Sequence, residues 1–141
     1  MDKVAIAHTA AETEEIGIDL ASILRDGTVV SLIGPLGAGK TTLVKGIAKG
    51  LLITEVVVSP TFLLAREYRG RLALHHLDAY RLSSASELAE VGLDALLPPA
   101  EGVTAVEWPE RVAGILEVSD LVVRIDVLEG GARRVTIRQR G

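Results

Sequence analysis

The residues best suited to chemistry stand in one short glycine-rich stretch, GPLGAGKT, at residues 34–41. The stretch matches in full the pattern G-x-x-x-x-G-K-S/T, in which backbone N–H groups cradle the phosphates of a nucleotide. Its glycines allow the backbone to approach the phosphates closely, and a helix that begins at the loop adds a partial positive charge. The stretch therefore predicts a phosphate site of the P-loop type.

Each predicted contact of this loop follows from a residue type. We expect the ammonium of Lys40 to reach the β- and γ-phosphates and the hydroxyl of Thr41 to bind Mg²⁺. The other predicted nucleotide-binding residues of the loop and the helix start are Gly34, Leu36, Gly37, Ala38, Gly39 and Thr42. Hydrogen bonds to a charged group contribute about 1.5–3 kcal/mol each, so several amides and one lysine together support tight binding.

A P-loop also needs a second acid near its metal, at the end of a neighbouring strand. Two residues are candidates. Glu107 ends the apolar run 103–106 and stands beside the only tryptophan, Trp108, whereas Asp78 ends the run 72–77. Either carboxylate would face the phosphates if its strand lay beside the strand that enters the loop. The residues alone leave both acids open.

Helix and strand patterns alternate along the chain, and these elements must position the loop and the acids. A buried strand pattern at 28–33 enters the loop, and an amphipathic helix pattern follows it. Capping boxes at Thr9 and Ser84 begin two further helices, and Pro109 begins a short helix that extends to residue 115. Further strand patterns occupy residues 4–7, 56–58, 62–68, 72–77, 103–107, 121–127 and 134–138.

The lengths of the connections between these strands indicate which strands pair antiparallel and which pair parallel. Strand patterns that flank residues 69–70 and 129–131 predict antiparallel hairpins, whereas strands separated by helices favour parallel pairing. We therefore predict the α/β class, with a P-loop NTPase-like three-layer fold around a mixed, partly parallel central sheet. The length of 141 residues predicts one domain, residues 1–141.

Composition restricts the classes of function. Hydrophobic residues make up 48% and charged residues 24% of the chain, which favours a globular protein over a disordered one. The net charge of −4 argues against unaided binding of nucleic acid, and the absence of cysteine excludes disulfides and thiolate metal sites. The start of the chain has no signal-peptide pattern, and no apolar run reaches the roughly 20 residues of a membrane span. We expect a cytoplasmic protein.

The residues also favour one nucleotide over another. The chain contains no asparagine, so the guanine motif Asn-Lys-x-Asp is excluded, and its only glutamine, Gln139, is poorly placed to orient a hydrolytic water. ATP is therefore favoured over GTP. A small-molecule P-loop kinase is the alternative, although no inserted segment resembles an arginine-bearing lid. A nucleotide-sensing adaptor without turnover is a third class.

Four motifs together resemble one known family. The stretches GPLGAGKTTL (34–43), SPTFLLAREY (59–68), HHLDAYRL (75–82) and VEWPER (106–111) occur in the order and spacing of the TsaE (YjeE) family. The resemblance covers most of the chain, and the closing RRVTIRQRG is similar to the last strand of the family. It implies the ATPase component of the machinery that makes threonylcarbamoyladenosine in tRNA. Such a component is a weak Mg²⁺-dependent ATPase that binds a complex of TsaD and TsaB and resets it by ATP hydrolysis, so that tRNA is reached only through that complex.

The resemblance also implies roles for individual residues. Thr41 and Glu107 would bind Mg²⁺, Lys40 and the loop amides would hold the phosphates, and Asp78 would act on the water shell of the metal or on the attacking water. Pro35 departs from the family, which often has an acidic residue there, and proline removes one backbone donor.

Residues outside the loop and the acids receive roles in the same way. Ser59 and Thr61 resemble a switch-like loop, with Thr61 on the γ-phosphate side, and Thr9 would lie near the base. Trp108 would pack against the nucleotide site or a partner. Tyr80 and Arg81, which follow Asp78, are candidates for the site or a partner interface, and a structural tyrosine with an ion-paired arginine is an equal alternative.

Two other features receive plainer interpretations. His75 and His76 are adjacent in a strand pattern, so one is expected to face inward and the other outward, without a role in binding zinc. Four arginines make the C-terminal strand basic, and a solvated strand face is favoured over a tRNA or partner contact. They are Arg133, Arg134, Arg138 and Arg140.

Overall fold

The structure, a computed structural model, describes residues 2–60 and 64–140. Within these residues seven strands form a single sheet. The strands are β1 (Asp2–Ala7), β2 (Val29–Ile33), β3 (Ala65–Arg69), β4 (Ala73–Asp78), β5 (Val103–Glu107), β6 (Leu121–Val127) and β7 (Arg133–Gln139). The α-helices are α1 (Ala10–Ala21), α2 (Lys40–Gly50) and α3 (Ala85–Glu90). Short 3₁₀ turns occupy Leu93–Leu96, Pro109–Arg111, Leu116–Val118 and Glu129–Gly131.

The sheet is mixed, as the sequence predicts. Its strand order is β1-β7-β6-β2-β5-β4-β3, so β2 lies at the centre. The central pairs β2–β5, β2–β6 and β4–β5 are parallel, and the pairs β1–β7, β6–β7 and β3–β4 are antiparallel. Both predicted hairpins are present, β3–β4 and β6–β7. Because parallel strands end at the same edge, the carboxyl ends of β2, β4, β5 and β6 lie together.

Both faces of the sheet are covered, which confirms the three-layer arrangement. Alternate residues of β2 face opposite ways. Val30 and Leu32 belong to a buried cluster under α1 and α2, whereas Val29 belongs to a second cluster under α3 and the 3₁₀ turns. Full burial of one large aliphatic side chain contributes about 1.5–3 kcal/mol, so two such clusters stabilise the sheet on both sides.

Helix α1 packs against α2 through glycines. A Cβ on Gly46 would lie 2.0 Å from the carbonyl oxygen of Glu14, and one on Gly17 would lie 2.3 Å from that of Leu43. No side chain fits at either position. Glycine costs a helix about 1 kcal/mol relative to alanine, and here it permits backbone contact. The close crossing brings Thr13 of α1 beside Gly39, at the end of the glycine-rich loop.

The two capping boxes form as predicted. Thr9 Oγ1 accepts from the N–H of Glu12 at 3.1 Å, and the Glu12 carboxylate accepts in return from the N–H of His8 at 2.7 Å. The Ser84 hydroxyl accepts from the N–H of Glu87 at 3.2 Å. The bonds to Thr9 and Ser84 satisfy N–H groups that the first turn of a helix leaves unpaired, whereas the Glu12 carboxylate bonds the residue before the cap.

Two predicted elements are wrong. Residues 56–58 form no strand, because the phenol of Tyr68, and not a neighbouring strand, accepts from the N–H of Val58 at 3.2 Å. Only one 3₁₀ turn, Pro109–Arg111, forms in the predicted helix 109–115, and Gly114 there has a left-handed φ of 99°. In the part of the chain that the structure describes, no helix is long and apolar enough to cross a membrane.

Candidate nucleotide site

The glycine-rich loop connects the central strand β2 to helix α2, at the edge where the parallel strands end. Gly37 and Gly39 have φ angles of 79° and 105°, a region that glycine adopts far more readily than other residues. At Gly34 a Cβ would lie 2.7 Å from the carbonyl oxygen of Ile125 in β6, so only glycine fits there. Loop position and glycine geometry therefore match a phosphate site at the carboxyl ends of the strands.

The structure brings both candidate acids to the loop. Glu107 ends β5 opposite Leu32 of β2, and Asp78 ends β4 directly opposite Glu107. Both carboxylates are nearly buried, with 5% exposure for Glu107 and 6% for Asp78. The N–H of Tyr80 donates to Asp78 Oδ1 at 2.9 Å and orients that side chain.

Glu107 joins the sheet to the start of α2. Its Oε2 accepts from the hydroxyl of Thr41 at 2.9 Å and lies 2.6 Å from Nε2 of His76. A carboxylate only accepts hydrogen bonds, so the imidazole donates from Nε2. This bond makes His76 a part of the site, a role that the sequence reasoning missed.

The prediction that one of the two histidines faces outward is wrong. His76 is fully buried and His75 is 9% exposed. Their strand, β4, has neighbours on both sides and is packed on both faces, so alternate side chains point into different parts of the interior. His75 is held by the carbonyl of Glu101 at 3.0 Å, away from Glu107.

Lys40 is a buried cation that lacks an anionic hydrogen-bond partner. Its Nζ has no hydrogen bond to any described residue and lies 3.3 Å from the ring centroid of Trp108. Burial lowers the pKa of Lys40, and the nearby carboxylates of Glu107, Glu110 and Asp78 oppose that shift. Ammonium groups are costly to bury without hydrogen bonds, so the site suits an added anion such as phosphate.

Trp108 begins a row of stacked side chains that leads to the surface. Its backbone is left-handed, with φ 59° and ψ 45°, directly after β5. Its ring meets that of Tyr80 edge-on, with centroids 5.1 Å apart, and the guanidinium of Arg111 lies 4.3 Å from the Tyr80 ring. Tyr80 is 46% exposed, so the row reaches solvent beside the acids.

Thr9 lies beside the loop, and so does Arg133, which the sequence did not place there. A cavity of about 170 Å³ separates the start of α1 from the loop. Its lining includes His8, Thr9, Gly37, Gly39, Thr42 and Arg133. This cavity is large enough for part of a nucleotide next to the phosphate loop.

The other predicted residues are exposed or lie outside the described residues. Leu36 is 89% exposed at the tip of the loop, and Arg81 is exposed just beyond β4. Ser59 lies in an exposed segment without helix or strand, and Thr61 lies outside the described residues. The switch-like role of this segment stays a prediction.

The side chains at the loop fit Mg²⁺ bound with a nucleotide. Among the described residues no three His, Cys, Asp or Glu side chains are grouped as a metal site. Mg²⁺ in nucleotide sites is held by one or two protein oxygens, with phosphates and water supplying the rest. Thr41 Oγ1 and Glu107 Oε2, 2.9 Å apart, are two such oxygens at the start of α2.

Comparisons with known proteins identify the family of the chain. The family model described as "Threonylcarbamoyl adenosine biosynthesis protein TsaE" matches residues 7–135. A protein of Treponema pallidum named "tRNA threonylcarbamoyladenosine biosynthesis protein TsaE" is 40% identical over 132 residues, which are 94% of this chain and 97% of that protein. The protein of the same name from Bacillus subtilis is 40% identical over 131 residues, covering 92% of this chain and 81% of the relative.

The fold also has a solved counterpart. The crystal structure of Bacillus subtilis YdiB, with a P-loop fold, superposes with a TM-score of 0.82 at 33% identity, over 100% of this chain and 87% of that one. Sequence, fold and family model therefore agree over almost the full length. The chain belongs to the TsaE family.

Proposed function

We propose that the protein binds ATP with Mg²⁺ and hydrolyses it weakly, as the ATPase subunit required for threonylcarbamoyladenosine modification of tRNA. One observation carries the proposal. Lys40, whose buried ammonium has no hydrogen bond, and Thr41, which is bonded to Glu107, are the last two residues of a complete P-loop and the first two of α2. A buried cation without a hydrogen bond, beside two oxygens that could bind a metal, is the arrangement that a magnesium-bound triphosphate would complete.

The residues divide the work by their chemistry. Lys40 and the amides of the loop would hold the phosphates, while Thr41 and Glu107 would hold the metal. When bound, Mg²⁺ would neutralise charge on the β- and γ-phosphate oxygens. Asp78, fixed by the N–H of Tyr80, would orient the attacking water. Thr9 would lie near the base, at the cavity beside the loop.

A partner would supply what the isolated chain lacks. An arginine finger in the site increases the rate of P-loop hydrolysis by roughly 10³–10⁵, so hydrolysis without such a group is slow. We propose that a TsaD–TsaB-like complex binds here, and that ATP hydrolysis resets it between modification events. The relatives named for tRNA threonylcarbamoyladenosine biosynthesis support that pathway.

Reconstitution of tRNA modification tests the proposal. The partner enzymes, tRNA, ATP and the other substrates would be combined with wild-type chain, Lys40→Ala or Glu107→Ala, and modified adenosine would be measured over many turnovers. We expect multiple turnover with the wild type and its loss with both variants. Lys45→Ala is the matched control, because Lys45 is an exposed lysine on the same helix.

Two results would contradict the proposal. Full multiple-turnover activity from both Lys40→Ala and Glu107→Ala would exclude a role for ATP hydrolysis at this site. Transfer of labelled phosphate from ATP to a small acceptor in a metabolite pool would favour the kinase alternative.

A further inference from the structure

Arg133, the first residue of β7, holds the tip of the glycine-rich loop. Its Nε donates to the carbonyl of Ala38 at 3.0 Å, and its Nη2 donates to the carbonyl of Gly37 at 3.2 Å. Two donors of one planar guanidinium therefore bind two successive peptide units of the loop. The loop and the arginine are 95 and 96 positions apart in the sequence, so only the fold brings them together.

The peptide geometry connects this contact to phosphate binding. In a trans peptide the carbonyl and the following N–H point in opposite directions. Fixing the Ala38 carbonyl toward Arg133 therefore directs the N–H of Gly39 away from the arginine. The orientation of that N–H is what a P-loop uses to cradle a phosphate.

Besides Arg133, the loop tip is held by a turn bond from the N–H of Ala38 to the carbonyl of Pro35 at 3.1 Å and by the buried methyl group of Ala38, whereas Leu36 and Gly37 add no packed side chain. A Cβ added at Gly37 would find no other atom within 4 Å, and Leu36 projects into solvent with 89% exposure. Glycines carry a high conformational entropy when unrestrained, and the tip has no packed side chain of its own at these two positions. Arg133 supplies the bonds that fix the carbonyls of Gly37 and Ala38.

Arg133 is itself fixed by the sheet. Its backbone pairs with Ala7 of β1 on one side and Val127 of β6 on the other. Its Nη1 donates to the carbonyl of Gly131 in the turn before β7 at 2.5 Å. The backbone of Arg133 is paired on both sides and its side chain bonds the preceding turn, so the guanidinium has few available positions. Such restriction suits a positioning role.

We infer that Arg133 is a positioning residue for nucleotide binding, which sets the loop amides before the phosphates arrive. This inference deepens the proposed ATP site and rests on it. Arg133 acts through the loop carbonyls, so its effect depends on the two-pronged guanidinium and not on positive charge alone. Lysine, with a single ammonium, cannot reproduce both bonds in this geometry.

Hydrogen exchange without nucleotide tests the effect on the loop. Exchange of the peptide that covers residues 34–41 would be measured by mass spectrometry for the wild type, Arg133→Ala, Arg133→Lys and Arg134→Ala. We expect faster exchange in both Arg133 variants and unchanged exchange in Arg134→Ala, which loses only the surface pair with Asp126. Wild-type exchange at the loop in Arg133→Ala would overturn the inference.

Nucleotide affinity, measured by calorimetry with MgADP and with a non-hydrolysable MgATP analogue, tests the consequence. We expect Arg133→Ala to weaken binding about tenfold, Arg133→Lys to weaken it nearly as much, and Arg134→Ala to remain within about twofold of the wild type. Because Arg133→Lys keeps the charge, full affinity in that variant would overturn the two-pronged mechanism. Failure of the wild type to bind either nucleotide would instead contradict the proposed ATP site, whereas the exchange result would still report on the loop.

Discussion

Glu107 accepts hydrogen bonds from Thr41 and from His76 at the same oxygen, at 2.9 and 2.6 Å. The Thr41 hydroxyl has one proton and two lone pairs, so it can donate to Glu107 and still offer a lone pair to a metal. His76 contributes no metal ligand in this arrangement. It fixes the direction of the carboxylate from within the core, as residues behind the ligands do at many metal sites.

His76 can be tested for this role by substitution. Replacing it with leucine should raise the Mg²⁺ concentration needed for half-maximal ATP binding about tenfold, because Glu107 loses a fixed donor. His76→Gln should restore part of the effect, since an amide can donate from a similar position. Binding of a fluorescent ATP analogue during a Mg²⁺ titration provides the measurement.

His75→Leu is the control for His76→Leu. His75 precedes His76 on the same strand and bonds the Glu101 carbonyl, so its loss should leave the Mg²⁺ dependence near that of the wild type. Equal Mg²⁺ midpoints for His76→Leu and the wild type would contradict the role assigned to His76.

The buried Lys40 ammonium should make ATP affinity and stability depend on pH. Burial lowers the pKa of Lys40 below its ordinary value of 10.5, so the ammonium loses its proton at a lower pH than an exposed lysine does. The proposed contact of Lys40 with phosphate requires the charged form. ATP affinity should therefore fall as pH rises through the lowered pKa, and the free protein should gain stability over the same interval, because its unfolded chain binds that proton more strongly.

Lys40→Arg separates this effect from other titrations. Arginine stays protonated throughout the interval, so the part of the pH dependence due to Lys40 should disappear from both affinity and stability. Calorimetric affinity for MgADP and urea unfolding, each measured at several alkaline pH values, would check the two slopes. Identical pH profiles for Lys40→Arg and the wild type would contradict the assignment.

At the scale of elements, the crossing of α1 and α2 sets where the loop ends. A Cβ at position 46 would overlap the Glu14 carbonyl, at 2.0 Å. Gly46→Ala should lower the free energy of unfolding by about 1–3 kcal/mol, because overpacking outweighs the better helix propensity of alanine. Urea unfolding monitored by circular dichroism measures the change. Lys45→Ala, at an exposed neighbouring position, is the control, and its free energy of unfolding should stay within about 0.5 kcal/mol of the wild type. An equally small change in Gly46→Ala would show that the two helices can move apart at little cost.

The sequence predicts correctly those elements that depend on residues close together in the chain. The loop between a buried strand and an amphipathic helix, the caps at Thr9 and Ser84, and both hairpins depend on residues a few positions apart, and all of them form. The supposed strand 56–58 fails because its partner is a tyrosine side chain, which no periodicity reveals.

The same distinction applies to the candidate site. Parallel strands end together, so placing Asp78 and Glu107 at the loop follows from strand patterns and topology. His76 could have been found as well, since it precedes Asp78 by two residues on one face of β4. Arg133 could not, because its partners in the loop are 95 and 96 positions away, far beyond any hairpin or helix spacing. Contacts of that kind depend on the complete strand order.

At the scale of the whole molecule, three arginines of the C-terminal strand bind partners within the chain itself. Arg134 pairs with Asp126 at 3.4 Å and Arg138 with Asp2 at 3.2 Å, while Arg133 holds the loop. The hydrogen bond from Arg138 also lowers the pKa of Asp2. These partners favour a solvated strand face over a tRNA contact for this basic segment, in agreement with the net charge of −4.

The surface beside the acids is a better candidate for partner contact. Arg111 lies over Tyr80, Tyr80 meets Trp108, and the Trp108 ring lies against Lys40, so packed side chains extend from solvent to the lysine that we propose binds phosphate. Arginine and tyrosine are enriched among residues that dominate protein interfaces. A partner that displaced Arg111 would therefore act on side chains in contact with the site.

Arg111→Ala should separate binding of ATP from its stimulation. We expect the affinity of the isolated chain for MgATP to stay within about twofold of the wild type, because Arg111 is exposed and meets the site only through two aromatic rings. Stimulation of ATP hydrolysis by the TsaD–TsaB-like complex should fall about tenfold, a loss typical of an interface arginine. Phosphate release with increasing partner concentration gives both the maximal rate and the partner affinity.

Arg69→Ala is the matched control, since Arg69 is exposed at the opposite edge of the sheet, where it pairs with Ala73 at the start of β4. Undiminished stimulation of Arg111→Ala, or an equal loss in Arg69→Ala, would place the partner elsewhere on the molecule.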